Sequence, residues 1–212
     1  MPSSERARAA VLLVAAAVLG AVAALLVAHR TAAPGDDSPE AGFARDMATH
    51  HSQAVEMAFI VRDKTTDPAL RTLAYDIIVT QSAQRGIFMG WLQEWGLPQA
   101  SARPRMAWMP GHAGMTRGTG GGMMQMIGMA SDEELQRLHE AQGRDAEILF
   151  LQLMIRHHEG GVLMATAVEG LTRRADVLDM ARSIDAGQRV EIRTMTRMLA
   201  ARGARPLPSL LK

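Results

Sequence analysis

The spacing of apolar residues divides the chain into one long apolar run and four amphipathic segments. Positions 9–28 are consecutively apolar or small. Apolar residues then recur every three or four positions over 40–64, 68–95, 144–171 and 175–202, which is the period of an amphipathic α-helix. No stretch alternates with the period of two that a half-buried strand shows. The pattern therefore predicts an all-α protein.

Turn residues between these segments pair them into two helix hairpins. Asp67 and Pro68 separate the first two segments, because aspartate caps a helix and proline fits its first turn. Gly96 and Gly203 end the two hairpins. Ser131 with Glu134 forms a capping-box pattern that predicts a short helix in the connection. Two hairpins with a long connection are typical of a ferritin-like four-helix bundle, and this is the predicted fold.

The predicted domain organisation follows from these boundaries. The bundle covers 41–203. Its parts are a first hairpin at 41–96, a connection rich in Met and Gly at 97–143, and a second hairpin at 144–203. The remaining segments are an N-terminal signal anchor or transmembrane helix at 1–30, a linker at 31–40 and a tail at 204–212.

The two hairpins carry matching residues 107 positions apart, without a gap. The matches concentrate in the pattern Met-x-x-His-His followed by Met-Ala, which spans 47–58 in the first copy and 154–165 in the second. The same offset relates Gln81 to Gln188. A repeat of this length indicates a duplicated supersecondary unit, and we expect the two copies to pack around a pseudo-two-fold axis.

The N-terminal apolar run indicates where the protein works. Twenty residues are enough to cross a hydrocarbon core of about 30 Å. Arg6 and Arg8 precede the run, and positive charge there keeps the N-terminus in the cytoplasm. We predict a single-pass cell-membrane protein whose C-terminal domain lies outside the cytoplasm. The alternative is a signal peptide that is cleaved near Ala28 or Ala33 and releases a secreted protein.

Composition and motifs exclude several classes of function. The chain has no cysteine, which excludes disulfides, thiolate metal sites and thiol catalysis. A net charge of +1 without a basic stripe gives no reason to expect nucleic-acid binding. Neither Glu-x-x-His, which di-iron bundles require, nor His-Glu-x-x-His occurs. No catalytic constellation is present, so we do not expect an enzyme.

The repeated Met and His residues are candidate metal ligands. On each helix the first Met, the first His and the second Met share one face. Imidazole binds copper in either oxidation state, and thioether sulfur favours copper(I). Gln81 and Gln188 are candidates for orienting the imidazoles. The predicted ligands are Met47, His50, His51, Met57, Met154, His157, His158 and Met164. The alternative is a duplicated structural hydrogen-bond pair in the core.

Methionines of the connection form a second candidate group. Because they lie in a Gly-rich segment, we expect them to stay out of the core and to be able to collect copper(I). A mobile apolar loop that folds over the bundle is the alternative. The residues of this group are Met106, Met109, His112, Met115, Met123, Met124, Met126 and Met129.

The duplicated motif resembles the family known as domain of unknown function 305. Asp46 matches the aspartate that usually precedes the first Met of the motif, and we include it among the candidate orienting residues. Gln188, Glu191 and Ile192 keep the family's Gln-x-x-Glu-Ile pattern, from which the first copy departs at Gln84. The resemblance implies a ferritin-like four-helix domain, exported and associated with copper.

These observations predict a membrane-anchored, extracytoplasmic protein that binds or buffers copper through His and Met clusters. The expected partners are the metal ion and the membrane, while a second copy of the chain or a copper-handling protein stays open. A structural or interaction bundle whose histidines only fix the core is the main alternative. A ferritin-like redox enzyme is the least supported one.

Overall fold

The computed structural model describes residues 8, 11–22, 33–111 and 126–211. The chain divides into two units, Met1–Pro34 and Gly35–Lys212. Residues 11–22 of the first unit are helical. Among the described residues, no helix is both long enough and apolar enough to span a membrane. Much of the anchor predicted at 1–30 lies outside the described residues, so the anchor stays a prediction.

The second unit is built from four long helices and one short helix. They are α1 (Pro39–Lys64), α2 (Pro68–Glu94), α3 (Asp132–Glu140), α4 (Gly143–Glu169) and α5 (Ala175–Ala201). No strand occurs in the part of the chain that the structure describes, so the predicted all-α class is confirmed.

Local side-chain chemistry sets the helix ends. The Asp67 carboxylate accepts the backbone N–H groups of Ala69 and Leu70, which would otherwise lack a partner at the start of α2. Ser131 and Glu134 form the reciprocal capping box that opens α3. These are the positions at which the sequence predicted helices to begin.

Short turns fold the long helices into two hairpins, α1 with α2 and α4 with α5. The hairpins contact one another through α1 and α4, and α3 packs against both of these helices. The histidine-bearing helix of each copy therefore forms the contact between the hairpins.

Contacts that tie the hairpins together recur at the offset of the repeat. The Thr65 hydroxyl after α1 donates to Glu147 of α4. Its counterpart Thr172, after α4, donates to Glu40 of α1 at 2.6 Å. Because each contact maps onto the other by exchange of the two copies, the hairpins are related by a pseudo-two-fold axis.

The buried apolar side chains form two clusters rather than one. The Phe43 cluster takes residues of α1 up to Ala48, and the Leu70 cluster takes residues of α1 from Ala54 onward. The same change of cluster occurs near the middle of α2, α4 and α5. The apolar core is thus interrupted at one level on all four long helices.

The end of the long connection is fixed against both hairpins. The Gln53 amide of α1 donates to the Ala130 carbonyl at 2.9 Å and accepts from the Ala130 N–H at 2.7 Å. On the other side, the Ile127 carbonyl lies against Gly160 of α4, where an added Cβ would come within 2.2 Å of the Ile127 oxygen. Only glycine fits at this position because the neighbouring atom belongs to the backbone.

We predict that Gly160→Ala destabilises the domain by about 1–3 kcal/mol, the usual cost of overpacking. The matched control is Gly187→Ala in α5, where an added Cβ meets nothing within 4 Å. That change should stabilise the domain by up to about 1 kcal/mol, because alanine is the better helix former. Chemical denaturation of both variants measures the difference. Equal effects of the two substitutions would contradict the close contact at Gly160.

Candidate metal centre

A layer of buried polar side chains fills the gap between the two apolar clusters. We call it the polar layer. Its four imidazoles are fully buried, and the two amides are nearly so. The polar layer consists of His50 and His51 from α1, Gln81 from α2, His157 and His158 from α4, and Gln188 from α5.

The inner histidines of the two copies meet at the contact between the hairpins. The ring centroids of His50 and His157 are 3.7 Å apart, and the ring planes are inclined by 33°. These two residues are equivalent in the repeat, so their contact lies on the pseudo-two-fold axis. Two imidazoles from different hairpins are therefore close enough to share one ligand.

The outer histidines each contact the second helix of their own hairpin. His51 Nε2 lies 2.8 Å from Gln84 Oε1, and His158 Nε2 lies 2.6 Å from Glu191 Oε2. An amide oxygen and a carboxylate oxygen accept hydrogen bonds, so Nε2 is the donor in both rings. In a neutral imidazole, Nδ1 then keeps its lone pair.

His50 makes a similar bond to the connection. Its Nε2 lies 3.2 Å from the Ile127 carbonyl oxygen, which can only accept. The carbonyl that packs against Gly160 of α4 therefore also orients a histidine of α1. The sequence of the connection does not indicate this contact, because the acceptor is a backbone carbonyl, which every residue carries.

Several atoms of the polar layer have no hydrogen-bond partner among the described residues. A buried polar atom that stays unpaired costs about 1–3 kcal/mol. Such a concentration of unpartnered polar atoms is expected where a ligand completes the bonding. The atoms are Nδ1 of all four histidines, Nε2 of His157, and the amide nitrogen and oxygen of Gln81 and Gln188.

Burial in the layer favours the neutral form of His50, His51 and His157. Burial lowers the pKa of His50 and of His51 to about 3, and repulsion between the imidazoles adds to the effect. Burial also lowers the pKa of His157 well below its ordinary value of 6.5. Metal ions bind the unprotonated ring. Because the pKa is lowered, these histidines can still act as ligands in mild acid.

Gly161 makes room for one of the glutamines. A Cβ at this position would lie 2.3 Å from Gln188 Oε1, so the amide occupies the space that a side chain would take. Neither Gln81 nor Gln188 has a hydrogen bond to a histidine in this structure. Their predicted role in orienting the imidazoles stays a prediction.

The four methionines of the repeated motif are fully buried and lie on both sides of the polar layer. Met47 and Met164 belong to the Phe43 cluster, whereas Met57 and Met154 belong to the Leu70 cluster. Each cluster thus receives one methionine from each copy. Thioether groups border the layer at both ends, although no three His, Asp or Glu side chains among the described residues form a metal-binding group.

The expectation that methionines of the connection stay out of the core is wrong for Met106, Met109 and Met126. All three are buried in the Phe43 cluster, and Met129 packs against it. The physical reason is an anchor on α1: the Asp46 carboxylate accepts the Met106 N–H at 2.7 Å and the Trp108 indole N–H at 2.9 Å. His112, Met115, Met123 and Met124 lie outside the described residues.

Asp46, predicted as an orienting residue for the imidazoles, contacts the connection instead. Its hydrogen bonds go to the connection, and none of them goes to a histidine. Gln84 and Glu191 contact the outer histidines, although neither was predicted as a histidine partner. The repeat itself carried the signal, because these two residues are equivalent positions on the second helix of each hairpin.

The fold and the polar layer together define a class, an all-helical protein with duplicated buried histidines and a candidate metal centre. Residues 40–199 match the domain of unknown function DUF305, and the chain belongs to this family. No functionally curated protein matches the chain at a significant level.

Several solved structures share the fold. A candidate secreted DUF305 protein from Streptomyces coelicolor is 45% identical over 82% of this chain and 99% of its own, with a TM-score of 0.73. A DUF305 fragment from Deinococcus radiodurans is 33% identical over 77% and 96%, with a TM-score of 0.63. CopM in its Cu(II)-bound form is 29% identical over 77% and 97%, with a TM-score of 0.58.

We predict that acid destabilises the protein prepared without metal. The unfolded chain protonates each histidine near pH 6.5, whereas folded His50 and His51 do so only near pH 3. Between these values the unfolded state binds more protons. The free energy of unfolding therefore falls as the pH falls, by up to about 1.4 kcal/mol per pH unit for each histidine.

Melting temperatures measured across this window test the prediction. The double variant His50→Gln/His157→Gln removes two of the groups and should show a shallower dependence on pH. His139→Gln in α3 is the control, because His139 is exposed. An equal pH dependence in the wild type and the double variant would show that the buried rings are not held neutral.

Proposed function

We propose that this protein binds copper outside the cytoplasm and buffers or stores it as part of copper homeostasis. The observation that carries the proposal is the polar layer, in which four buried imidazoles present unpartnered Nδ1 atoms between two methionine-containing clusters. Neutral imidazole and thioether are the ligand types that accommodate copper(I).

The relatives support the metal and the location. CopM is a protein of the same fold in a Cu(II)-bound form, at 29% identity. The relative from Streptomyces coelicolor is a candidate secreted protein. Together with the apolar run at 9–28, which follows arginines, this supports a domain exported from the cytoplasm and held at the membrane by its N-terminal segment.

The ligands we propose come from both copies of the repeat. His50 and His157 would bind one ion across the pseudo-two-fold axis, and His51 and His158 would extend the site toward α2 and α5. The methionines of the motif would supply sulfur from either side after small side-chain rotations, which their unbranched chains allow. Met106, Met109 and Met126 would deliver or hold further copper(I) at the Phe43 end.

A second function is favoured by three observed hydrogen bonds. His50, His51 and His158 each donate through Nε2 to a fixed acceptor, as structural core histidines do. In that case the protein would be a structural or interaction bundle without metal. The two functions differ in what happens when the inner histidines are removed.

The test replaces both inner histidines by glutamine, which keeps polarity and approximate size. At free copper(I) about 100-fold above its dissociation constant, binding stabilises the wild type by roughly 2.7 kcal/mol. For a domain of this size the melting temperature should rise by about 5–10 °C. His50→Gln/His157→Gln should lose most of this rise and keep a near-normal melting temperature without metal.

The control for this experiment is again His139→Gln, which should keep the full response to copper(I). A variant that loses stability without metal, yet responds to copper(I) like the wild type, would support the structural function and overturn the proposal.

Replacing the buried methionines of the connection by leucine distinguishes copper binding by sulfur from apolar packing. Met106→Leu/Met109→Leu/Met126→Leu conserves apolar volume, so the melting temperature should change little. We predict that the variant binds fewer copper(I) ions per chain, measured by elemental analysis after desalting, while the tightest site is kept. An unchanged number of bound ions would limit these residues to core packing.

A further inference from the structure

We infer that Glu191 and Gln84 make the two ends of the polar layer unequal. Glu191 strengthens His158 as a ligand for Cu(II), while His51, held by Gln84, is left better suited to Cu(I). The inference rests on the proposed copper binding, and it assigns the oxidation-state preference to two positioning residues that do not themselves touch the ion.

The inequality is visible because the rest of the arrangement is duplicated. Gln84 and Glu191 are equivalent positions of the repeat, and each accepts a hydrogen bond from Nε2 of the outer histidine of its own hairpin. The two imidazoles are fully buried. The first copy thus has a neutral amide where the second copy has a carboxylate, and both accept the hydrogen bond of the outer histidine.

The hydrogen bond decides which nitrogen can bind an ion. Because Nε2 donates its proton to residue 84 or 191, the lone pair of the neutral ring lies on Nδ1. Nδ1 of His51 and of His158 has no partner among the described residues. Both rings are therefore presented in the manner of metal-binding histidines, which donate their other N–H to a carboxylate or a carbonyl.

The chemical difference lies in the charge of the acceptor. A carboxylate draws the Nε2 proton toward itself and makes the ring a stronger electron donor, whereas an amide oxygen does so weakly. A stronger donor with a nearby negative charge stabilises the doubly charged ion more than the singly charged one. The His158 end should therefore bind Cu(II) more tightly than the His51 end does.

The carboxylate of the neighbouring residue in the chain is engaged elsewhere. Glu159 follows His158 in the chain, but its two oxygens accept from the Ser209 hydroxyl and from the Leu210 N–H, both at 2.7 Å. Its carboxylate is committed to the C-terminal segment of the chain. Glu191 is thus the carboxylate that contacts the His158 ring.

Two reciprocal substitutions test the inference on the full-length protein. Glu191→Gln gives the second copy the acceptor of the first, and Gln84→Glu does the opposite. Affinities for Cu(I) and for Cu(II) are measured separately by competition with a chelator of known affinity. Asp179→Asn is the matched control, because it removes one negative charge from an exposed position of the same helix.

We expect Glu191→Gln to weaken Cu(II) binding by about 10-fold to 100-fold, the usual effect of removing such a partner, and to change Cu(I) binding much less. The Cu(II)/Cu(I) potential of the bound ion should then rise, by about 59 mV for each tenfold change in the ratio of affinities. Gln84→Glu should strengthen Cu(II) binding, and Asp179→Asn should behave as the wild type.

The outcomes separate this inference from the proposed function. A wild type that binds neither ion would overturn the proposed function. A wild type that binds copper, with Glu191→Gln and Gln84→Glu indistinguishable from it in both affinities and in potential, would overturn the inference alone. If Glu191→Gln does not fold, Gln84→Glu decides, because an increase in Cu(II) affinity or none is measured on a chain that keeps Glu191.

Discussion

Four imidazoles buried where the two hairpins meet are the constraint on which this structure depends. Burial removes water from the rings and lowers the pKa of His50, His51 and His157. Nδ1 of each of the four rings has no hydrogen-bond partner among the described residues. The fold tolerates them at one level only, because that level separates the Phe43 cluster from the Leu70 cluster. Packing supplies stability above and below, and the polar layer is left available for chemistry.

Local signals allowed most of the fold to be predicted from the sequence. Asp67 and the Ser131 capping box bond to backbone N–H groups only two or three residues away. The helix starts could therefore be predicted without the tertiary structure. The repeat fixed which helices are equivalent. It also indicated that the paired histidines would lie at similar depth, because duplication copies position along a helix.

Contacts made by the connection could not be predicted in the same way. That segment has no helical period, so neither the burial of Met106 nor the bond between the Ile127 carbonyl and His50 follows from its sequence. The glycine content predicted a segment outside the core, yet side chains of α1 hold it in place. Asp46 accepts hydrogen bonds from Met106 and Trp108, and Gln53 bonds to Ala130. The partners of the outer histidines could not be predicted either. The repeat offset shows that Gln84 and Glu191 are equivalent, but it does not show where their side chains point.

Gln53 and Gly160 occupy the same position in the two copies, and the structure uses them in opposite ways. One side chain binds the connection through two hydrogen bonds, and the other is absent so that the same connection can pass. An ancestral dimer of two identical hairpins would have had to use one residue for both tasks. A single chain is free of that restriction, because the two copies can carry different residues where one asymmetric segment passes between them.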